Sequence, residues 1–158
     1  MCLGRGYYSD YFYIFALNFG FMVRGYIGSE ASLQRACVQF LRLRGVHFFH
    51  VPNGMNSNWR NVVNMKSMGM APGIPDLLII DPASGFSGLA VELKVGSRKP
   101  TALQLHWLST FESCGWASVW LNSFDDFEAL VGEYFSGSFV GIDNTGVVHK
   151  KNFFKYFR

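Results

Sequence analysis

Two runs of high strand propensity, over 77–81 and 89–95, are separated by Pro82-Ala83-Ser84-Gly85-Phe86-Ser87-Gly88, a stretch with the composition of a hairpin turn. No other feature constrains the fold as much, because a hairpin fixes which residues face each other. Folding symmetrically about Ser84 sets Asp76 opposite Glu92, and directly opposed residues have Cβ atoms roughly 4.5 to 5.5 Å apart. Two carboxylates at that spacing repel one another. The repulsion disappears if a divalent cation lies between them, since hard cations such as Mg²⁺ take carboxylate oxygens and keep positions open for water or phosphate.

Lys94 lies two residues beyond Glu92 and shares its face of the strand, whereas Val91, Leu93 and Val95 project to the other. Two acids and a base on one face suit metal-assisted hydrolysis of a phosphodiester, with the ammonium positioning a water or offsetting charge in the transition state. The bland alternative is an i, i+2 ion pair on an exposed edge strand.

The remaining elements follow from caps and periodicity. Ser29 is a good N-cap, and Leu33, Cys37, Phe40 and Leu41 recur at helical spacing until Gly45. Glu30, in the first turn, falls at the end of that buried stripe. Residues 46–51 read as a strand, and residues 53–73 as a long polar, Met-rich loop with one or two helical turns over 59–68. Arg60 and Lys66 in that loop are candidate phosphate contacts. His47, His50 and His106 read as ordinary structural residues. A helix is expected over 101–113, where Thr101 and Gln104 form a capping box that explains Gln104 without any catalytic role. A strand over 116–121 and a helix over 124–135 complete the order αβββαβα.

With 158 residues, 49% of them apolar and 16% charged, the chain is one folded domain's worth with a sizeable core. Cys2, Cys37 and Cys114 are odd in number and widely spaced, with no zinc ligand pattern, which favours a reducing, cytoplasmic setting. Residues 11–23 form an aromatic and aliphatic run containing Asn18 and Gly20, short of the roughly 20 apolar residues of a membrane span. The run lacks a cleavage site and is expected to pack or to form an interface, and Met22 is an alternative start. The net charge of +3 resides in the tail, where Lys150, Lys151, Lys155 and Arg158 alternate with aromatic residues. Such a tail suits either phosphate binding with base stacking or an amphipathic end docked on the domain.

Gly73-Ile74-Pro75-Asp76-Leu77-Leu78-Ile79, Val91-Glu92-Leu93-Lys94 and Thr101-x-x-Gln104-x-x-Trp107-Leu108 occur in that order, and together they resemble the motifs of the VRR-NUC domain, a branch of the PD-(D/E)XK nucleases. The resemblance spans about residues 29–135, leaving an N-terminal extension over 1–28 and a basic tail over 136–158. It implies an α/β, restriction-endonuclease-like core with a central mixed sheet flanked by helices. It also implies a Mg²⁺- or Mn²⁺-dependent DNA endonuclease. Asp76, Glu92 and the main-chain carbonyl of Leu93 match the metal ligands, Lys94 the catalytic lysine, Gln104 the glutamine of the following helix, and Glu30 the acid of the first. Short members of the family look like homodimeric resolvases of branched DNA, so a four-way junction is the first expected substrate. A flap or less specific DNA nuclease is the second reading, and a non-catalytic nucleic-acid-binding protein on the same fold the third.

Overall fold

The computed structural model describes residues 28–51, 63–65 and 67–139. The run at 11–23, Met22 and the tail beyond residue 139 lie outside the described residues, as do Arg60, Lys66, Lys150, Lys151 and Lys155.

Helix α1, Glu30–Leu43, starts at a reciprocal cap: Ser29 Oγ accepts from Ser32 N at 3.1 Å, and Ser32 Oγ accepts from Ser29 N at 3.0 Å. Such a cap contributes about 1 kcal/mol. The helix ends in a Schellman motif, with Gly45 at φ 64°, Gly45 N donating to Arg42 O and Val46 N to Leu41 O. That closure consumes Val46, and the following strand β1 is confined to Phe48–His50. Strands β2, Leu77–Ile79, and β3, Leu89–Leu93, are joined by a tight turn in which Ser84 and Gly85 both have positive φ, 51° and 83°, and Phe86 N donates to Ala83 O. Positive φ at both central residues is the signature of a type I′ turn, whose twist matches a hairpin. Tyr134 clamps this turn: its hydroxyl donates to Asp81 O at 2.9 Å and accepts from Ala83 N at 3.1 Å. Helix α2, Ala102–Ser113, leads to β4, Ala117–Leu121, and helix α3, Phe124–Ser136, follows. Within the loop expected before β2, residues 63–65 and 67 are helical.

The sheet order is β1-β2-β3-β4, antiparallel for the first two pairs and parallel for β3 and β4. The chain is therefore of the mixed α/β class expected from the sequence. Leu77 pairs with Val91 and Ile79 with Leu89, the register expected for a hairpin symmetric about Ser84. On one face Leu77, Ile79, Leu89, Val91, Leu93, Val119 and Leu121 form the core with α1 and α3, including edge-on contacts of Phe40 with Phe124 and Phe127. On the other face Glu92 and Ser118 meet residues of α2. Period-two alternation thus places an acid in the middle of the sheet, facing away from the main core.

Gly88 opens β3 beneath the Trp116 ring. A Cβ there would stand 2.5 Å from Trp116 Cζ3 and 2.7 Å from the Ile79 carbonyl oxygen. Ring and backbone cannot both yield, so Gly88→Ala is expected to cost about 1–3 kcal/mol as an overpacking change. Thermal unfolding reads it directly, and an unchanged Tm would show that both the Trp116 ring and the Ile79 carbonyl give way.

Candidate active site

Asp76 sits just before β2, held at both ends. Its carbonyl accepts from Val51 N at 3.2 Å, and His50 Nδ1 lies 2.8 Å from the same oxygen. Its Oδ2 accepts from the main-chain N–H of Leu93 at 2.9 Å, which ties the carboxylate across the hairpin to the strand that carries Glu92. The preceding loop is equally constrained. Gly73 takes φ 82° and packs so closely on α2 that a Cβ would lie 2.8 Å from Leu103 Cγ, and Trp107 Nε1 donates to Pro72 O at 3.0 Å. The Gly-Ile-Pro-Asp sequence is therefore shaped by backbone needs.

Glu92 is fully buried and Lys94 nearly so, with Lys94 Nζ 2.5 Å from Glu92 Oε1. The reading of these residues as an ion pair on an exposed edge is overturned: β3 is flanked by β2 and β4, and the pair is enclosed. A buried pair is retained at a desolvation cost and is poor evidence for a purely stabilising role. Gln104 Nε2 also donates to Glu92 Oε1, while Gln104 Oε1 accepts from Thr101 N at 2.9 Å. The capping role of Gln104 and its presence in the site are thus not alternatives, because one end of its amide serves each.

Glu30 enters from the first turn of α1. It is more open than its place on the helical stripe implied, with its side chain 40% exposed and 3.5 Å from Arg98 Nη1. Its charge nevertheless reaches Glu92. Burial, opposed by Lys94 and reinforced by the charges of Asp76 and Glu30, pushes the Glu92 carboxyl up to about 7. The structure therefore brings Asp76, Glu92, Lys94, Gln104 and Glu30 into one neighbourhood.

Two contributors were not legible as site residues, His50 and Arg98. His50 reads as an ordinary strand residue, but its Nδ1 lies between Asp76 O and Gln34 Nε2, at 2.8 and 2.6 Å. Arg98 meets Glu30 across 68 residues of sequence, beyond any local pattern.

A divalent cation fits this donor set on one observation above all. Glu92 Oε2 is buried with no hydrogen-bond partner, while Oε1 is doubly satisfied. A buried carboxylate oxygen without a donor carries a penalty that a hard cation removes. Among the described residues no group of three or more His, Cys, Asp or Glu side chains is arranged around a single metal position.

The raised Glu92 carboxyl has a consequence for stability without metal. Its folded pKa lies above the unfolded value of 4.5, so the folded state holds the proton more tightly. The contribution is full below about pH 4.5 and is lost as pH rises towards 7. The Tm of metal-free Glu92→Gln, which cannot ionise, is expected to gain on that of the parent across this window, and Mg²⁺ should abolish the parent's loss. A constant difference between the two proteins would show that Glu92 stays ionised throughout.

No helix among the described residues is long and apolar enough to cross a membrane. Neither a protein-family model nor a curated protein matches the chain. Among solved structures, one described as a VRR_NUC domain protein superposes with a TM-score of 0.60 at 20% identity, covering 77% of this chain and 97% of that one. At that identity the likeness is one of fold, and the fold of this chain is that of a VRR_NUC domain protein.

Proposed function

We propose that the protein is a divalent-metal-dependent DNA endonuclease of the PD-(D/E)XK kind, acting on branched DNA such as four-way junctions as a homodimer. The observation that carries this reading is the enclosed Glu92–Lys94 pair beside Asp76, with one Glu92 oxygen left bare. The shared fold with a VRR_NUC domain protein supports it. Asp76, Glu92 and the main-chain carbonyl of Leu93 would hold Mg²⁺ or Mn²⁺, which when bound polarises a phosphoryl oxygen and acidifies a coordinated water.

The side chains divide the remaining work. Gln104 and Lys94 both hold Glu92 Oε1, which leaves Oε2 as the donor atom. Leu93 N–H fixes Asp76 Oδ2, so the second carboxylate does not swing out of the site when no cation is present. Lys94 Nζ, charged and nearly enclosed, is placed to hydrogen-bond the attacking water or the phosphoryl oxygen on which charge accumulates. Glu30, at the open rim, adds negative charge that favours a cation in the site. A two-fold dimer would present two such sites, as the symmetry of a four-way junction requires.

The test is cleavage of duplex, flap, splayed-arm and four-way-junction DNA in Mg²⁺, in Mn²⁺ and in EDTA. Metal-dependent cutting that is fastest on the junction is expected. Equal rates on all four substrates would reduce the protein to an unselective nuclease, and binding without cutting would make it a non-catalytic member of the fold.

A further inference from the structure

The short loop between Lys94 and the Thr101 cap is polar, exposed and hydrogen-bonded at several points. Lys94 N donates to Leu121 O at 2.7 Å, Asn122 Nδ2 donates to Gly96 O at 3.3 Å, and Arg98 N donates to Val95 O at 3.3 Å. At its far end Thr101 caps α2, so the loop is held on both sides within seven residues of Lys94. Its crest is Arg98-Lys99, and both residues are exposed. Lys99 has no ion-pair partner among the described residues. Arg98 reaches across to Glu30, the acid whose charge is felt at Glu92.

This placement matters for any polyanion that must approach Asp76 and Glu92. Glu30, Asp76 and Glu92 present three acids against the single enclosed cation Lys94, an arrangement that repels a phosphate backbone unless cations stand at the rim. Arg98, in contact with Glu30, and its exposed chain neighbour Lys99 are the cations of the adjoining loop. The Arg98–Glu30 contact is long, at 3.5 Å, with the arginine side chain 72% exposed. Pairs of this kind contribute little, so the guanidinium can exchange a carboxylate for a phosphate at small cost. Its forked donors then take a phosphate in bidentate fashion, which an ammonium cannot do.

We infer that Arg98 and Lys99 form a phosphate-binding rim that seats the DNA backbone beside the reacting phosphodiester, with Arg98 leaving Glu30 for phosphate as DNA binds. The inference rests on the nuclease reading and adds a grip on DNA separate from Arg60, Lys66 and the basic tail. Its test is the salt dependence of binding of a fluorescein-labelled four-way junction and of a duplex to the full chain in EDTA, for the parent, Arg98→Gln, Arg98→Lys and Arg98→Gln/Lys99→Gln. Each phosphate that is no longer neutralised should lower the slope of log K against log salt by roughly 0.9 on duplex DNA, so the double variant should fall short of the parent by up to about 1.8. Arg98→Lys should recover the slope but not the full affinity. Calorimetric Mn²⁺ titration of each variant should remain positive, because neither residue is a metal ligand. A double variant with the parent's slope would overturn the inference while leaving the nuclease reading intact. A parent that binds DNA without salt dependence, or never cuts it, would instead sink the reading beneath it.

Discussion

Asp76→Ala and Glu92→Gln are each expected to abolish metal-dependent cleavage and to weaken Mn²⁺ binding by more than the roughly 10- to 100-fold that loss of an outer-shell partner costs a metal site. The two variants should differ in stability. Asp76 is half-buried, and its charge raises the pKa of Glu92, so removing it relieves repulsion in the metal-free protein. Asp76→Asn, which keeps the shape, is therefore expected to raise the metal-free Tm while it destroys activity. Glu92→Ala would leave Lys94 enclosed without its partner, which is why the amide is the more informative change. A metal-free Asp76→Asn protein less stable than the parent would mean that the carboxylate's bond to Leu93 N–H outweighs its repulsion of Glu92.

Lys94 should give the complementary result. Lys94→Met is expected to lower the single-turnover rate by about 10²- to 10⁴-fold, the range of a positioned acid–base or charge-stabilising group. Mn²⁺ binding should survive, since an ammonium offers no lone pair to a metal. Breaking a buried pair from one side typically costs about 3–5 kcal/mol. The metal-free variant should accordingly melt well below the parent, and Mn²⁺ should return most of the difference by neutralising Glu92 in place of the lysine.

The parts of the site that sequence made legible are those governed by short-range rules. The hairpin centred on Ser84 followed from turn composition and strand propensity, and it alone determined that Leu77 faces Val91 and Ile79 faces Leu89. The Ser29 and Thr101 caps were equally local, each resting on a hydroxyl and a partner three residues on. What sequence left undecided depended on partners far along the chain. Whether β3 was an edge or a central strand turned on its parallel pairing with β4, reached only after the intervening helix α2. Burial of the Glu92–Lys94 pair followed from that pairing, and with it the loss of the surface ion-pair reading. Strand β1 is shorter than its hydrophobic run because His47 turns to Asp81, 2.8 Å away, and Val46 is used by the helix closure. Gln104 shows the two scales meeting: its carbonyl oxygen obeys the local cap, and its amide nitrogen serves a carboxylate on a neighbouring strand.

Glu92 and Lys94 touch, yet on the proposed mechanism the first holds a metal and the second acts on the reaction. Calorimetric titration of Mn²⁺ into the parent, Glu92→Gln and Lys94→Met, run beside single-turnover cleavage of a four-way junction, separates the two roles. Glu92→Gln is expected to lose both binding and cleavage, whereas Lys94→Met should keep the binding and lose the cleavage. Mn²⁺ affinity in Glu92→Gln equal to that of the parent, or a Lys94→Met protein that cuts at the parent's rate, is incompatible with this division of labour.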